Sequence, residues 1–157
     1  MDVMKNLKQT TINRIITGRI PSGVDLITGI KEICSKFKVK HGYISMIIGS
    51  LDYLTIIYLV PDETKKLNIK YSKNTKINGP LELLNVQGLI GIDENSEQSI
   101  HAHILVSDRY MRIFGGHLVE GGSKVAATAE IVIHEIKDTK YIRSFDEETG
   151  FNLFKAQ

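Results

Sequence analysis

The stretch IHAHILVSDRYMRIFGGHL, residues 100–118, decides how this chain folds and where its chemistry sits. Residues 100–106 are rich in β-branched and apolar side chains and predict a strand. Ser107, Asp108 and Arg109 turn the chain, and residues 110–114 predict the returning strand. Side chains on a strand alternate between faces, so His101 and His103 point the same way, one pleat apart. With Val106 opposite Tyr110, His103 faces Ile113 and His101 faces Gly115, while His117 lands opposite Ser99, beyond the other two. Gly115-Gly116 changes that expectation. A glycine pair in a strand predicts a bulge, and one or two extra residues there bring His117 back beside His101.

Three converging neutral imidazoles suit Zn2+, and also Ni2+, Fe2+ or Co2+. The expected metal ligands are therefore His101, His103 and His117. Structural zinc sites usually close with four protein ligands, whereas a three-histidine site leaves a position for water or substrate. The single cysteine, Cys34, lies far away in a helical segment, so no thiolate set competes. Each histidine needs its second ring nitrogen oriented, and Glu120 and Glu130 are the acidic candidates for that task. A competing reading is two polar residues on a solvated strand face; the glycine-flanked third histidine tips the balance toward metal. His41 follows a helix end, where an imidazolium favours the dipole, and reads as structural. His134 reads as a surface residue and Cys34 as core.

Outward from the hairpin, the pattern is mostly β. Residues 13–20 predict a strand, and Pro21-Ser22-Gly23 a turn into a helix. Val24, Ile27, Ile30, Cys34 and Phe37 recur at helical spacing, with lysines near the end and Gly42 as a stop. Further strands are expected at 43–48, 54–60, 67–72, 81–92 and 125–136, with weaker strand character near Leu153 and Phe154. The run 54–60 reads as a strand covered on both faces. Gly49-Ser50 predicts a turn or bulge, and Gly88 and Gly91 predict bulges. One helix among several strands with short connections gives an α+β fold, a mostly antiparallel sheet with one main helix packed on it. Residues 1–10 are expected to be a flexible N-terminus and 11–157 a single domain.

The chain has 157 residues, enough for one substantial core. Lys plus Arg number 20 against 18 Asp plus Glu, too even a balance to imply nucleic acid by itself. One cysteine excludes an intrachain disulfide and favours a reducing compartment. The polar start has no signal-peptide core, and the most apolar window, 46–60, is interrupted by Gly49, Ser50 and Asp52. A cytoplasmic protein without membrane contact is expected.

The run Ile113-Phe114-Gly115-Gly116-His117-Leu118-Val119-Glu120-Gly121, followed by Ala127-Thr128-Ala129-Glu130-Ile131-Val132-Ile133, resembles the signature of the plants-and-prokaryotes-conserved (PPC) domain. Arg19-Ile20-Pro21-Ser22-Gly23-Val24-Asp25-Leu26, Gly79-Pro80-Leu81-Glu82-Leu83-Leu84 and Phe145-Asp146-Glu147-Glu148-Thr149-Gly150-Phe151 resemble other landmarks in the same order. The likeness spans residues 10–157 and is closest to the single-domain prokaryotic type. It departs at Ser45-Met46, where the family usually has a glycine after the serine.

The resemblance implies an α+β fold, homotrimers, and a metal on three histidines that match His101, His103 and His117 here. It also implies a DNA-binding or regulatory assembly role, although this chain lacks the Arg-Gly-Arg-Pro core of the plant proteins' AT-hook. A second function follows from the fold's relation to acetolactate decarboxylase: a metal-dependent enzyme on small keto or hydroxy acids. Such an enzyme needs a cation for the substrate carboxylate, with Arg19 and Arg112 as candidates, and a proton donor, with Glu120 as candidate. In the enzyme reading a small molecule binds at the metal. A third reading makes the domain purely structural.

Overall fold

The computed structural model describes residues 6–157. The first half of the expected flexible N-terminus therefore lies outside the described residues. Strand β1 spans Thr11–Pro21 and leads into helix α1, Leu26–Phe37. Asp25 caps that helix: its Oδ1 accepts from the Thr28 amide at 3.1 Å, and its Oδ2 accepts from the Ser123 amide at 2.9 Å. One carboxylate thus starts the helix and pins it to the loop before the last long strand. The helix ends at Lys38, left-handed at φ 57, rather than at the predicted Gly42, which opens the next strand.

The remaining strands are β2 (Gly42–Ile57), β3 (Leu59–Pro61), β4 (Ile69–Tyr71), β5 (Thr75–Asp93), β6 (Gln98–Asp108), β7 (Ile113–Leu118), β8 (Val125–Lys137), β9 (Tyr141–Asp146) and β10 (Phe151–Ala156). The α+β expectation holds: the eight-stranded sheet runs β1-β8-β2-β7-β6-β5-β9-β10, and every pairing but β5 with β9 is antiparallel. β2 also pairs with β5, so β2, β7, β6 and β5 close on themselves. Closure removes sheet edges from the middle of the fold. Leu54, Leu83, Val86, Ala102, Ile104 and Val106 point into that ring and are buried, and the inner face of α1 adds Leu26, Ile30 and Cys34 to the same core.

Several local expectations change. The two strands expected at 43–48 and 54–60 are one strand, β2, through Ile57; Gly49-Ser50 is not a turn but a place where the register with β8 shifts, the extra residues lying on β8, while the extra residue of β2 itself is Ser45. The 54–60 run is not covered on both faces: it breaks at Tyr58, and Tyr58 and Leu59 are exposed. The irregularities in β5 fall at Leu83/Asn85 against β6 and between Asn78 and Leu81 against β2, not at Gly88 or Gly91. Those glycines instead allow close approach, since a Cβ would lie 2.3 Å from the His101 carbonyl oxygen at Gly88 and 2.4 Å from the Tyr141 carbonyl oxygen at Gly91. The tail is more regular than expected, an antiparallel hairpin of β9 and β10. Cys34 is core, as expected, and burial pushes its thiol up to about 12.

His134 is half-buried and bonded through Nδ1 to the Tyr43 hydroxyl at 2.6 Å, so it is less a free surface group than the alternation suggested. His41 is structural, but not as an imidazolium. Its Nδ1 accepts from the Tyr141 amide at 3.2 Å, and burial, then Lys140 and Lys40, lower its pKa.

Candidate metal centre

The hairpin of β6 and β7 has a different register from the expected one. His103 lies directly opposite His117, Leu105 opposite Gly115 and Ser107 opposite Ile113. The expected return strand at 110–114 therefore begins later, because the turn is wider. Asp108 builds that turn. Its Oδ1 accepts from the amides of Tyr110 (2.9 Å) and Arg112 (3.0 Å), while Met111 takes a left-handed φ of 62. The wider turn moves His117 from Ser99 to His103, four residues along the strand. Because that slip is even, every side chain keeps its predicted face.

No bulge is needed, and the Gly115-Gly116 pair serves another purpose. A Cβ on Gly115 would lie 2.6 Å from Leu105 Cδ2 and 2.9 Å from the Ile104 carbonyl oxygen. One on Gly116 would lie 2.9 Å from the Ile57 carbonyl oxygen. The glycines let β7 close in on β6 and β2 together.

The three rings meet on the outer face of the closed ring of strands. Their centroids stand 5.2 Å apart (His101 and His103), 4.9 Å (His101 and His117) and 5.5 Å (His103 and His117). One nitrogen from each lies within 4.8 Å of the others, and the Nε2 atoms of His101 and His103 are 3.3 Å apart. A tetrahedral metal with nitrogen ligands at about 2.0–2.1 Å sets its ligand atoms about 3.3–3.4 Å apart, so this spacing already suits shared coordination. The buried Nδ1 of His117 has no hydrogen-bond partner. Burial lowers the pKa of both His101 and His117 to about 4; for His101 the Arg143 guanidinium is the next cause, and for His117 the two neighbouring histidines precede it. Neutral imidazoles keep the lone pairs that a metal needs. The Tyr71 ring of β4 lies against His117, tilted by 51° at 5.2 Å between centroids, and borders one side.

The other sequence-predicted residues lie elsewhere or do other things. Arg112 is held by Asp108 at 2.6 Å in the hairpin turn, beside the Tyr110 and Phe114 rings. Arg19 sits opposite Glu130 on β1 and β8, and the hollows it borders do not include the histidines. Glu130 is thereby placed away from them as well. Glu120 borders the same cavity as His117, of about 220 Å3, but its carboxylate is bonded to Lys31 at 2.7 and 2.8 Å and to no imidazole. The cation near the histidines is one that the sequence reading missed, Arg143 of β9. Its place depends on β9 pairing in parallel with β5, Ile92 to Ile142 and Asp93 to Arg143. No local periodicity marks such a pairing.

Residues 7–137 match the Plants and Prokaryotes Conserved (PCC) domain, the family suggested by the glycine-flanked histidine, and the chain belongs to that family. Its fold is similar to that of a plant- and prokaryote-conserved protein from Pyrococcus horikoshii, with a TM-score of 0.79 and 29% identity, covering 95% of this chain and 96% of that one. It is also similar in fold to a metal-containing protein from Archaeoglobus fulgidus, with a TM-score of 0.79, 24% identity and coverage of 94% and 97%. A curated relative, the bifunctional protein GlmU of a Synechococcus strain, is 26% identical over 138 residues, which is 88% of this chain and 20% of that protein. The chain thus spans about a fifth of the length of the curated relatives it matches.

Proposed function

We propose that His101, His103 and His117 hold one divalent metal ion, zinc first among the candidates, in a homotrimeric protein of this family. The observation that carries the reading is the 3.3 Å approach of two imidazole nitrogens, with a third imidazole alongside whose buried Nδ1 is unpartnered. The likeness to the Archaeoglobus metal-containing protein supports it. With three protein ligands, a bound metal keeps a position open and supplies Lewis acidity to whatever oxygen ligand occupies it. This chain's own residues do the rest: His101 and His117 stay neutral, Tyr71 borders one side, and Gly115 and Gly116 keep the hairpin tight.

Elemental analysis of untagged protein after zinc addition and desalting tests this. About one zinc per chain is expected, and a stoichiometry well below that overturns it. Leu105 and Ile113 are exposed apolar residues on the histidine face and favour contact between copies. Sedimentation velocity should give a trimer; a monomer at tens of micromolar would remove that part.

DNA is the less favoured partner. Lys31, Lys70 and Lys124 are each paired with a carboxylate, Lys66 donates to the Glu147 carbonyl, and Lys76 lies over the Tyr53 ring at 4.5 Å. These are five of the 15 lysines, and the others are spread along the chain rather than gathered in one run that would track a phosphate backbone. A gel-shift series at rising salt should show no retained complex. Among the described residues, no helix is long and apolar enough to cross a membrane.

A further inference from the structure

Arg143 is a half-buried guanidinium with little to do. It forms no ion pair among the described residues. Its Nη1 donates to the Ile100 carbonyl at 3.3 Å, and its guanidinium lies over the Phe154 ring at 5.9 Å. Most of the five donors of the fork are left uncommitted. The nearest acidic neighbour in the sheet, Asp93, is engaged in its own turn, where its Oδ1 accepts from the amides of Asn95 and Glu97 at 2.9 Å each.

Register places Arg143 on the histidine face. Ser99, His101 and His103 share one side of β6; Gly91 lies opposite Ser99, and Asp93, two residues on, pairs with Arg143. Arg143 and His117 border the same polar cavity, together with Ser99. The ion pair of Lys31 and Glu120 forms another part of its wall and is neutral as a pair. Of the three histidines His117 lines this cavity, so a divalent metal held on them would add its charge at the cavity's edge, beside Arg143.

We propose that this cavity is an anion site, in which Arg143 binds the oxyanion of a small ligand whose other oxygen donor takes the metal's open position. The ligand is a small oxyanion, either an organic carboxylate or a phosphate. A planar fork matches both bidentately, and a cavity of about 220 Å3 limits the size. The metal half rests on the preceding proposal; the Arg143 half stands on the geometry of β9.

The test uses untagged protein with its metal content measured first. Calorimetric titration of the zinc-loaded protein with L-lactate and, separately, with inorganic phosphate distinguishes the two chemistries. One of them should bind, with Kd raised about tenfold or more in Arg143→Gln and less in Arg143→Lys, at unchanged zinc stoichiometry and unchanged melting temperature. Equal binding by Arg143→Gln overturns the proposal, as does the absence of binding by either anion. Should zinc not bind at all, the metal proposal fails on its own. In that case amide shifts of Ser99 and Arg143 in the metal-free protein decide: movement with either anion upholds the Arg143 subsite, and none overturns it.

Discussion

Two hairpins border the histidine cluster, and they were legible to different degrees. The hairpin of β6 and β7 carries all three histidines, and its faces followed from alternation alone. The hairpin of β9 and β10 supplies Arg143, and nothing local announced it. The first is held by a turn that one aspartate builds and by a ladder of adjacent strands. The second is tied to the ring of strands by two parallel residue pairs, between segments about fifty positions apart. The difference teaches that which side chains share a face can be read from strand period, whereas the charged groups beside them arrive by long-range pairing.

The largest effect that would sharpen this comparison comes from the first hairpin. Replacing His117 with Ala should lower zinc affinity on the order of 100-fold or more by competition titration, because it removes a whole ligand. Retained affinity would mean that His117 only lines the site. Next, Gly116→Ala should cost about 1–3 kcal/mol in denaturant unfolding, since a Cβ would press on the Ile57 carbonyl. The same variant should weaken zinc binding by shifting β7. A neutral outcome would break the close-approach account of the glycine pair.

A smaller effect concerns pH in the metal-free protein. His101 and His117 titrate near 4 in the folded chain, against 6.5 ordinarily. Between those values the unfolded chain binds more protons, so stability is fully present above pH 6.5 and falls as pH drops toward 4. Both rings are partly open to water, so screening reduces each contribution to on the order of 1 kcal/mol. Thermal melts across this range should show the loss, and His101→Gln should flatten it. An unchanged slope in that variant would assign the acid sensitivity to other groups.

The smallest expected effects lie at Arg112 and Arg19. Arg112→Ala should leave zinc stoichiometry and anion affinity unchanged, because the guanidinium is spent on Asp108 at the far end of the hairpin. Arg19→Ala should do the same, since β1 and β8 hold it away from the histidines. A marked loss of anion binding in either would transfer to it the role assigned to Arg143.

Much of the fold was legible because burial imposes a period. The helical spacing of Val24, Ile27, Ile30 and Cys34, and the alternation in β6 and β8, are direct consequences of one face meeting a core. Boundaries were less legible where one strand crosses a bulge, as in β2 at Ser45, because the period breaks while the strand continues. The hairpin register was misread because Asp108 widens the turn through its side chain, a choice that residue composition only hints at.

By itself the sequence determined one helix on a mostly antiparallel sheet, the common face of His101, His103 and His117, and the family to which that glycine-flanked histidine belongs. Those are short-range consequences of side-chain alternation and of a local motif. Only the tertiary structure decided that His117 stands opposite His103 without a bulge, that Arg19 and Arg112 are elsewhere, and that Arg143 is the cation beside the histidines. Those outcomes depend on which distant strands pair and in what register. The free energy that selects them comes from closing the ring of β2, β7, β6 and β5 around a buried core, a collective property that no single window of residues contains.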